Sequence, residues 1–362
     1  MTSRTRNRRI GEFSGYATCN GVTQSRSSFL YDEVCADVIG NYPNDNPLTI
    51  TERDGYVCTI SGQCAGYTYS QWPIVTGMPT SHIQKGLTLD AFVPKLMAQT
   101  NPASASFSLP VAIGELRDLP SLLKAAHGNI SRKAAGSYLN YEFGWKPFLS
   151  DCRKMLSLVS LIERKLEELK RLSQGSIRTS SSLGTEEFTS SVSKGKTLNS
   201  TLATIITSDY YDVTVRQTWG VCTWKPSVTI PEYLLRDARS IRALATKLAL
   251  GTHSSQQLVN AWNLCPWTWL VDWFTGVSDF LESNNNSIAY ASGPVCIMQT
   301  ATTTRVFLNS KFPSGITHTK LTSEYVTKRR QLFSPTPAVK LRPFLTKRMS
   351  LILGSLAILK GR

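Results

Sequence analysis

The sequence predicts an α+β protein in which the β pieces gather into one region and the helices into another, each assembled from separated stretches of chain. Three observations lead there. Residue texture alternates β, α, β, α, β, α along the 362 residues, no segment is repeated, and no single β block carries enough apolar residues for a core of its own. The length allows one large or two medium domains, and 41% apolar with 18% charged residues suits a folded chain. The predicted β region comprises residues 1–112, 176–230 and 285–343, and the predicted helical region residues 113–175, 231–284 and 344–362.

Residues 1–112 are rich in Gly, Ser, Thr, Pro and aromatics. Tyr56–Thr59 and Tyr67–Trp72 read as strands separated by a turn at Ser61-Gly62-Gln63, and Asn41–Pro47 reads as a loop. At Gly114 the texture changes: Leu116, Leu119, Leu122 and Leu123 have helical spacing interrupted by Pro120, and Ser131–Tyr141 reads as helix. Pro147 opens a long predicted helix to Gln174. Its apolar stripe is Cys152, Met155, Val159, Ile162, Leu166 and Leu169, and Gly175 stops it. Texture returns to β over Ser176–Ser227, where Tyr211, Val213, Val215, Gln217 and Trp219 alternate with polar residues as in a half-buried strand. Tyr210 and Tyr211 read either as exposed aromatics serving an outside partner or, more plainly, as strand-packing residues. Pro231 restarts helix with Leu234, Ala238, Ile241, Ala245 and Leu248 on one stripe. Val295–Leu308 and Ile316–Leu332 read as long strands joined at Pro313-Ser314-Gly315. Ser334–Pro337 is a linker, and a last helix runs from Phe344 to Lys360.

Leu258–Glu282 is the most distinctive stretch. Four of the eight tryptophans, Trp262, Trp267, Trp269 and Trp273, fall within it. From Pro266 onward, Trp267, Leu270, Phe274, Val277 and Leu281 form one stripe and Trp269, Trp273, Gly276 and Phe280 a second. A helix apolar around most of its circumference is expected inside a large protein. Its aspartates and Pro266 break it too early for a span of ~20 residues, and Leu351–Leu359 is also too short to cross a bilayer.

Formal charge is +15, unevenly spread. Arg305–Arg362 holds twelve Lys and Arg against one acid, Glu324, and Arg4, Arg6, Arg8 and Arg9 crowd the first nine residues. Such asymmetry points to a polyanionic partner, the plainer reading being a solvated basic surface. The cysteines Cys19, Cys35, Cys58, Cys64, Cys152, Cys222, Cys265 and Cys296 lack C-x-x-C spacing and do not form a disulfide framework. Cys152 and Cys265 are expected as buried free thiols, and Cys58 and Cys64 as free thiols that could meet across a hairpin. No apolar segment follows the first arginines, so no signal peptide is expected.

Catalytic and cofactor motifs are missing. His82, His127, His253 and His318 lie at no metal-ligand spacing, and neither G-x-S-x-G nor G-x-G-x-x-G occurs. Gly195-Lys196-Thr197 mimics the end of a phosphate loop, but Ser190 stands where its glycine belongs. Asp272 and Asp279, seven residues apart on one helix, would sit ~10 Å apart along the axis, too far to share a proton. No catalytic residue, metal site or cofactor is therefore expected. Nucleic-acid binding fits better, since phosphate contacts need Lys and Arg on a rigid surface. Candidates are Arg153, Lys154, Arg164, Lys165, Lys170 and Arg171 on the long helix, Arg236, Arg239, Arg242 and Lys247 on the next, and Lys347 and Arg348 on the last. RNA stems are recognised largely by shape and backbone, so such faces suffice without a named module. The plainer reading of each is a solvated face paired to glutamates.

Two long strings carry a resemblance. A-W-N-L-C-P-W-T-W-L-V-D-W-F at Ala261–Phe274 and Y-L-N-Y-E-F-G-W-K-P-F-L-S-D at Tyr138–Asp151, with G-E-L-R-D-L-P at Gly114–Pro120, resemble the maturation (attachment) proteins of single-stranded RNA bacteriophages. The resemblance implies a helical bundle region joined to an elongated, bent antiparallel β-sheet region. It also implies a virion protein present as one copy in the coat protein shell. The helical region would face inward and bind the phage genomic single-stranded RNA near its 3′ end, and the β region would face outward to the host pilus. Such a protein, made and assembled in the bacterial cytoplasm, enters the host with the RNA and needs neither export signal nor disulfides. The two longer strings are expected to be core of the helical region. No receptor-binding residue transfers from the resemblance. Two other classes stay open: a soluble enzyme whose site motifs do not reveal, and a basic protein acting at membrane surfaces through its C-terminal helix.

Overall fold

The computed structural model describes residues 2–40, 46–77, 79, 88–116, 130–202, 204–227, 237–265, 267–339 and 347–360. Its longest regular motif is a hairpin of β1 (Thr2–Cys19) and β2 (Val22–Ile39), in register from Thr2↔Ile39 to Cys19↔Val22. Asn20 and Gly21 join them with φ of 49° and 79°. Two successive positive φ values match the right-handed twist of the strands, which is why Asn-Gly serves here. Apolar residues crowd β2 more than β1, and cross-strand charge pairs add to the ladder: Arg4 on Asp37 and Arg9 on Asp32.

β3 (Leu48–Asp54) continues the sheet beside β2, and β4 (Val57–Cys64) and β5 (Tyr67–Val75) form a second hairpin. Its turn is Ala65-Gly66, with φ of 49° and 82°, and not the expected Ser61-Gly62-Gln63. Those three residues form an irregularity inside β4, where the register shifts between Ile60 and Gly62. Gly62 has φ +126°, and a Cβ there would lie 2.0 Å from the Gly315 carbonyl oxygen. The glycine is needed for close approach of a third strand, not for reversal.

The remaining strands are β6 (Ile177–Thr189), β7 (Ser193–Thr201), β8 (Thr204–Pro226), β9 (Ala289–Ala291), β10 (Val295–Phe307), β11 (Ile316–His318) and β12 (Glu324–Phe333). Sheet order is β11-β4-β5-β1-β2-β3-β12-β10-β8-β6, with β7 and β9 also on β8. Ile316–Leu332 is thus not one strand: β11 pairs with β4 and β12 with β3. The class is α+β with a large antiparallel sheet.

The chain clusters into two compact units, residues 1–86, 182–220 and 296–332 in one and residues 87–181, 221–295 and 333–362 in the other. The first holds a core of Ala17, Cys58, Ile60, Tyr69, Trp72, Ile74 and Ile206. Along β8 the even-numbered residues turn inward at period two, and several are polar: Thr204, Ser208, Asp212, Thr214, Arg216 and Thr218 are all buried. Several are satisfied across the sheet, while Arg216 has only a 3.5 Å ion pair with Glu186 and leaves its Nε and Nη2 without a hydrogen bond among the described residues. Arg305 donates twice to Asp212, at 2.8 and 3.0 Å, Thr214 bonds Thr303 at 2.9 Å, and Gln299 donates to Thr218 at 3.1 Å. The Arg305 guanidinium also lies 3.9 Å from the Tyr210 ring centroid, so Tyr210 is a packing residue as expected.

The second unit holds the helices: α1 (Val93–Thr100), α2 (Leu109–Leu116), α3 (Ile130–Asn140), α4 (Lys146–Leu156), α5 (Leu158–Ser173), α6 (Ala238–Ala249), α7 (Gln257–Leu264), α8 (Thr268–Thr275), α9 (Val277–Ser283) and α10 (Lys347–Lys360). A π-helical turn, Tyr141–Trp145, separates α3 from α4. α5 packs on α6, α1 on α9 and α3 on α10. Leu166, Leu169 and Leu172 of α5 and Ile241, Ala245 and Leu248 of α6 are buried. α1 lies within the stretch read as β, although Pro94 in its first turn and buried Val93, Leu96 and Met97 are ordinary helix signals.

Two expected helices are broken. The Pro147–Gln174 helix stops at Ser157, whose hydroxyl donates back to the Arg153 and Lys154 carbonyls, and α5 starts afresh. Of its stripe, Leu166 and Leu169 are buried while Met155 and Val159 are exposed. The tryptophan-rich stretch is three short helices, not one core helix. Trp267 at φ 69° precedes α8, and Gly276 at φ 64° ends it. Asp272 ties the three together, accepting from the Trp262 indole at 3.1 Å and from the Ser278 amide at 2.9 Å. All eight cysteines are free, and Cys265 is exposed rather than buried. The expected elements at Leu119–Leu123, Pro231–Leu234 and Asn41–Asp45, and the residues Pro266 and Leu345, lie outside the described residues.

Two stability predictions follow from these contacts. Asp212→Ala strips the partner from a buried guanidinium and is expected to cost about 3–5 kcal/mol. Asp32→Ala, on the exposed hairpin, is expected to cost about 1 kcal/mol or less. Urea unfolding of the full chain, followed by tryptophan fluorescence, compares them, and equal costs would refute the assignment. Glu142 is the second case. Burial alone would push its pKa up, but hydrogen bonds from Lys146 and Arg348 hold it below the ordinary carboxylate value. Its contribution is therefore fully present above the unfolded pKa and lost as pH falls through the depressed folded value. Glu142→Gln should be less stable than the parent at neutral pH, with the gap closing on acidification.

Candidate nucleic-acid interface

The sequence of α5 decides which of its cations face outward. Leu166, Leu169 and Leu172 claim the core side, which leaves Arg164, Glu167, Lys170 and Arg171 exposed. The helix ends at Gln174, and Gly175, at φ +150°, turns the chain back into β6. That reversal sets Arg178 across from the cations on the last turns of α5. A cleft of about 990 Å³ lies between them, and Arg164, Lys165, Arg171 and Arg178 line it with Ser176, Thr179 and Ser180. Glu167 and Glu168 are the carboxylates in its wall. Four cations against two carboxylates leave a positive surplus, and hydroxyls among guanidinium groups suit phosphate oxygens.

Not every cation in the wall is available. Lys165 is 7% exposed, and its ammonium donates to the Pro102 carbonyl at 3.0 Å and to Glu168 at 2.8 Å. It contributes charge to the cleft while its donors serve the fold. Arg171 stands 3.9 Å from Glu167 with both side chains exposed, a contact worth little in water.

Beside the cleft, α6 presents Arg239, Arg242 and Lys247 to solvent, and Arg242 reaches Glu163 of α5 at 3.1 Å. The basic faces of α5 and α6 therefore adjoin. Arg153 and Lys154 are exposed on α4, where Lys154 lies 3.6 Å from Asp151. Arg348 of α10 belongs to a separate group, donating to buried Glu142 at 2.7 Å beside Lys146 at 3.1 Å. Arg236 lies outside the described residues, as does the Lys347 side chain. Of the twelve candidates, the structure brings Arg164, Lys165 and Arg171 to one cleft, with Arg242 on the adjoining helix.

Arg178 was not among the sequence candidates. The signal was present, because a glycine after a helix reverses the chain and lays the next residues along its last turns. A cation three residues past Gly175 is placed to face the basic end of α5. In the Ser/Thr-rich run that follows, it reads as one more polar strand residue.

No curated protein matches the chain. A family model described as phage maturation protein matches residues 104–325, a span that holds the cleft, the Tyr138–Asp151 string and the tryptophan-rich string. With more than half of its length matched, including all three strings that carried the resemblance, the chain belongs to the phage maturation protein family.

Proposed function

We propose that this maturation protein is the RNA-binding and host-attachment component of its particle. The family places it in the virion. On this reading its helical unit holds the genomic single-stranded RNA near the 3′ end, and its β unit meets the host pilus. One copy sits in the coat protein shell, assembles in the bacterial cytoplasm, and leaves with the RNA when the pilus retracts. The observation that carries RNA binding is the cleft between α5 and β6. It concentrates Arg164, Arg171 and Arg178 on one wall-and-floor arrangement with hydroxyls between them. Exposed ion pairs on such a surface contribute at most about 1 kcal/mol each, so stability alone does not account for the clustering. The net charge of +15 favours a polyanion over an acidic peptide. Pilus attachment rests on the family alone.

The test is RNA affinity as a function of salt. The full chain should bind its genomic RNA with affinity that falls steeply as salt rises, because each phosphate contact releases counterions. The triple variant Arg164→Ala, Arg171→Ala, Arg178→Ala should bind at least about ten-fold more weakly, with a salt slope shallower by about three. A flat salt dependence, or a variant that binds like the parent, would remove the cleft from consideration.

A further inference from the structure

The tryptophan-rich string, expected in the core, reaches the surface. Trp267 is 53% exposed and Tyr141, Phe143 and Trp145 are exposed too, whereas Glu142 and Gly144 between them are buried. These residues form the π-helical turn, and such turns inside helices recur at functional sites. The rings form a connected cluster. Trp269 has its centroid 4.7 Å from Phe143, 4.8 Å from Trp273 and 5.9 Å from Trp267. Trp267 holds its place with φ 69° and ψ 0°, a left-handed conformation that costs a bulky residue about 1–3 kcal/mol. A glycine would relieve that strain. A strained backbone that keeps an indole in water, when burial would stabilise it, marks a position serving something other than stability.

Cations lie next in the chain to these rings or bond a residue among them. Lys146 follows Trp145 directly, and Lys146 and Arg348 both bond Glu142, whose chain neighbours are Tyr141 and Phe143. Two cations against one carboxylate leave the group around Glu142 positive. Flat π-faces beside ammonium and guanidinium groups are the combination that holds an unpaired base and its phosphate. An apolar partner protein would gain nothing from that charge.

We infer that the Trp267–Trp269–Phe143 cluster is a stacking platform for unpaired bases of RNA, with Lys146 and Arg348 serving the adjoining phosphates. This rests on the RNA-binding reading and assigns single-stranded segments to the platform and folded backbone to the cleft.

The probe is a short bromouridine-substituted oligouridylate, photocrosslinked to the full chain and mapped by mass spectrometry. Crosslinks should fall in the peptides holding Tyr141–Trp145 and Trp267–Trp273. Trp267→Leu should weaken oligouridylate binding about ten-fold, Trp267→Phe should retain most of it, and neither should alter binding of a base-paired stem. The cleft triple variant should show the converse, losing stem binding while keeping the crosslinks. If Trp267→Leu binds oligouridylate like the parent and the crosslinks lie elsewhere while stems still bind, the platform is refuted and RNA binding stands. If the parent chain binds neither RNA, both readings fall. If Trp267→Leu leaves RNA affinity unmoved but blocks incorporation into coat shells, the cluster is a protein-docking patch and the platform is refuted.

Discussion

β8 sets the terms for much of the molecule. Its 23 residues pair with β6, β7, β9 and β10, and it supplies residues to both compact units. An inward face that long must be satisfied chemically, and β8 fills it with a mixture. Ile206 joins an apolar core, whereas Asp212, Thr214 and Thr218 need partners that β10 provides at Arg305, Thr303 and Gln299. Leaving one such group unpaired costs more than the pair contributes, so this face fixes register more than it adds stability. Farther along, Trp224 donates its indole N–H to Thr100 of α1 at 3.2 Å, repeating the rule inside the helical unit.

The cations divide by the same reasoning. Lys165 spends its donors on internal acceptors, a backbone carbonyl and Glu168. Arg164, Arg239 and Lys247 are exposed, and the long pairing of Arg171 with Glu167 binds neither strongly. Charge held on a rigid helix and not consumed by the fold remains free to meet charge from outside. That distinction, invisible in a count of lysines and arginines, separates a structural cation from a candidate contact.

How much of this was legible in the sequence depended on which force shaped each segment. Where burial dominates, the pattern could be read: Ile241, Ala245 and Leu248 on α6, and Leu166 and Leu169 on α5. Along β8 the period of two was visible but its inward face was not: the buried side chains are Asp212, Thr214, Arg216 and Thr218, and the apolar set from Tyr211 to Trp219 lies on the other face. Where another force dominates, it could not. The β1–β2 hairpin shows no clean apolar alternation and rests on a continuous backbone ladder, and Asn20-Gly21 stood as an unused turn signal. Ser61-Gly62-Gln63 looked like a turn because a glycine needed for close approach and one needed for reversal are the same letter. The cleft was half legible. Helical spacing put Arg164 and Arg171 outward, but Arg178 joins them through the geometry of Gly175, which periodicity does not encode.

The tryptophan-rich stretch shows where burial logic itself misleads. Continuous helical spacing would set Trp267, Leu270 and Phe274 on one stripe, and hydrophobicity would send that stripe inward. Both steps assume an unbroken backbone. A left-handed residue at Trp267 and another at Gly276 cut the helix twice, and each cut rotates the stripe off its expected axis. Asp272 then bonds across the breaks, so the polar residue that seemed to interrupt an apolar helix organises three short ones. With the breaks in place, Trp267 remains in solvent beside Trp269. A segment rich in large rings is thus core only if its backbone permits; with two left-handed residues it becomes a ring-lined surface.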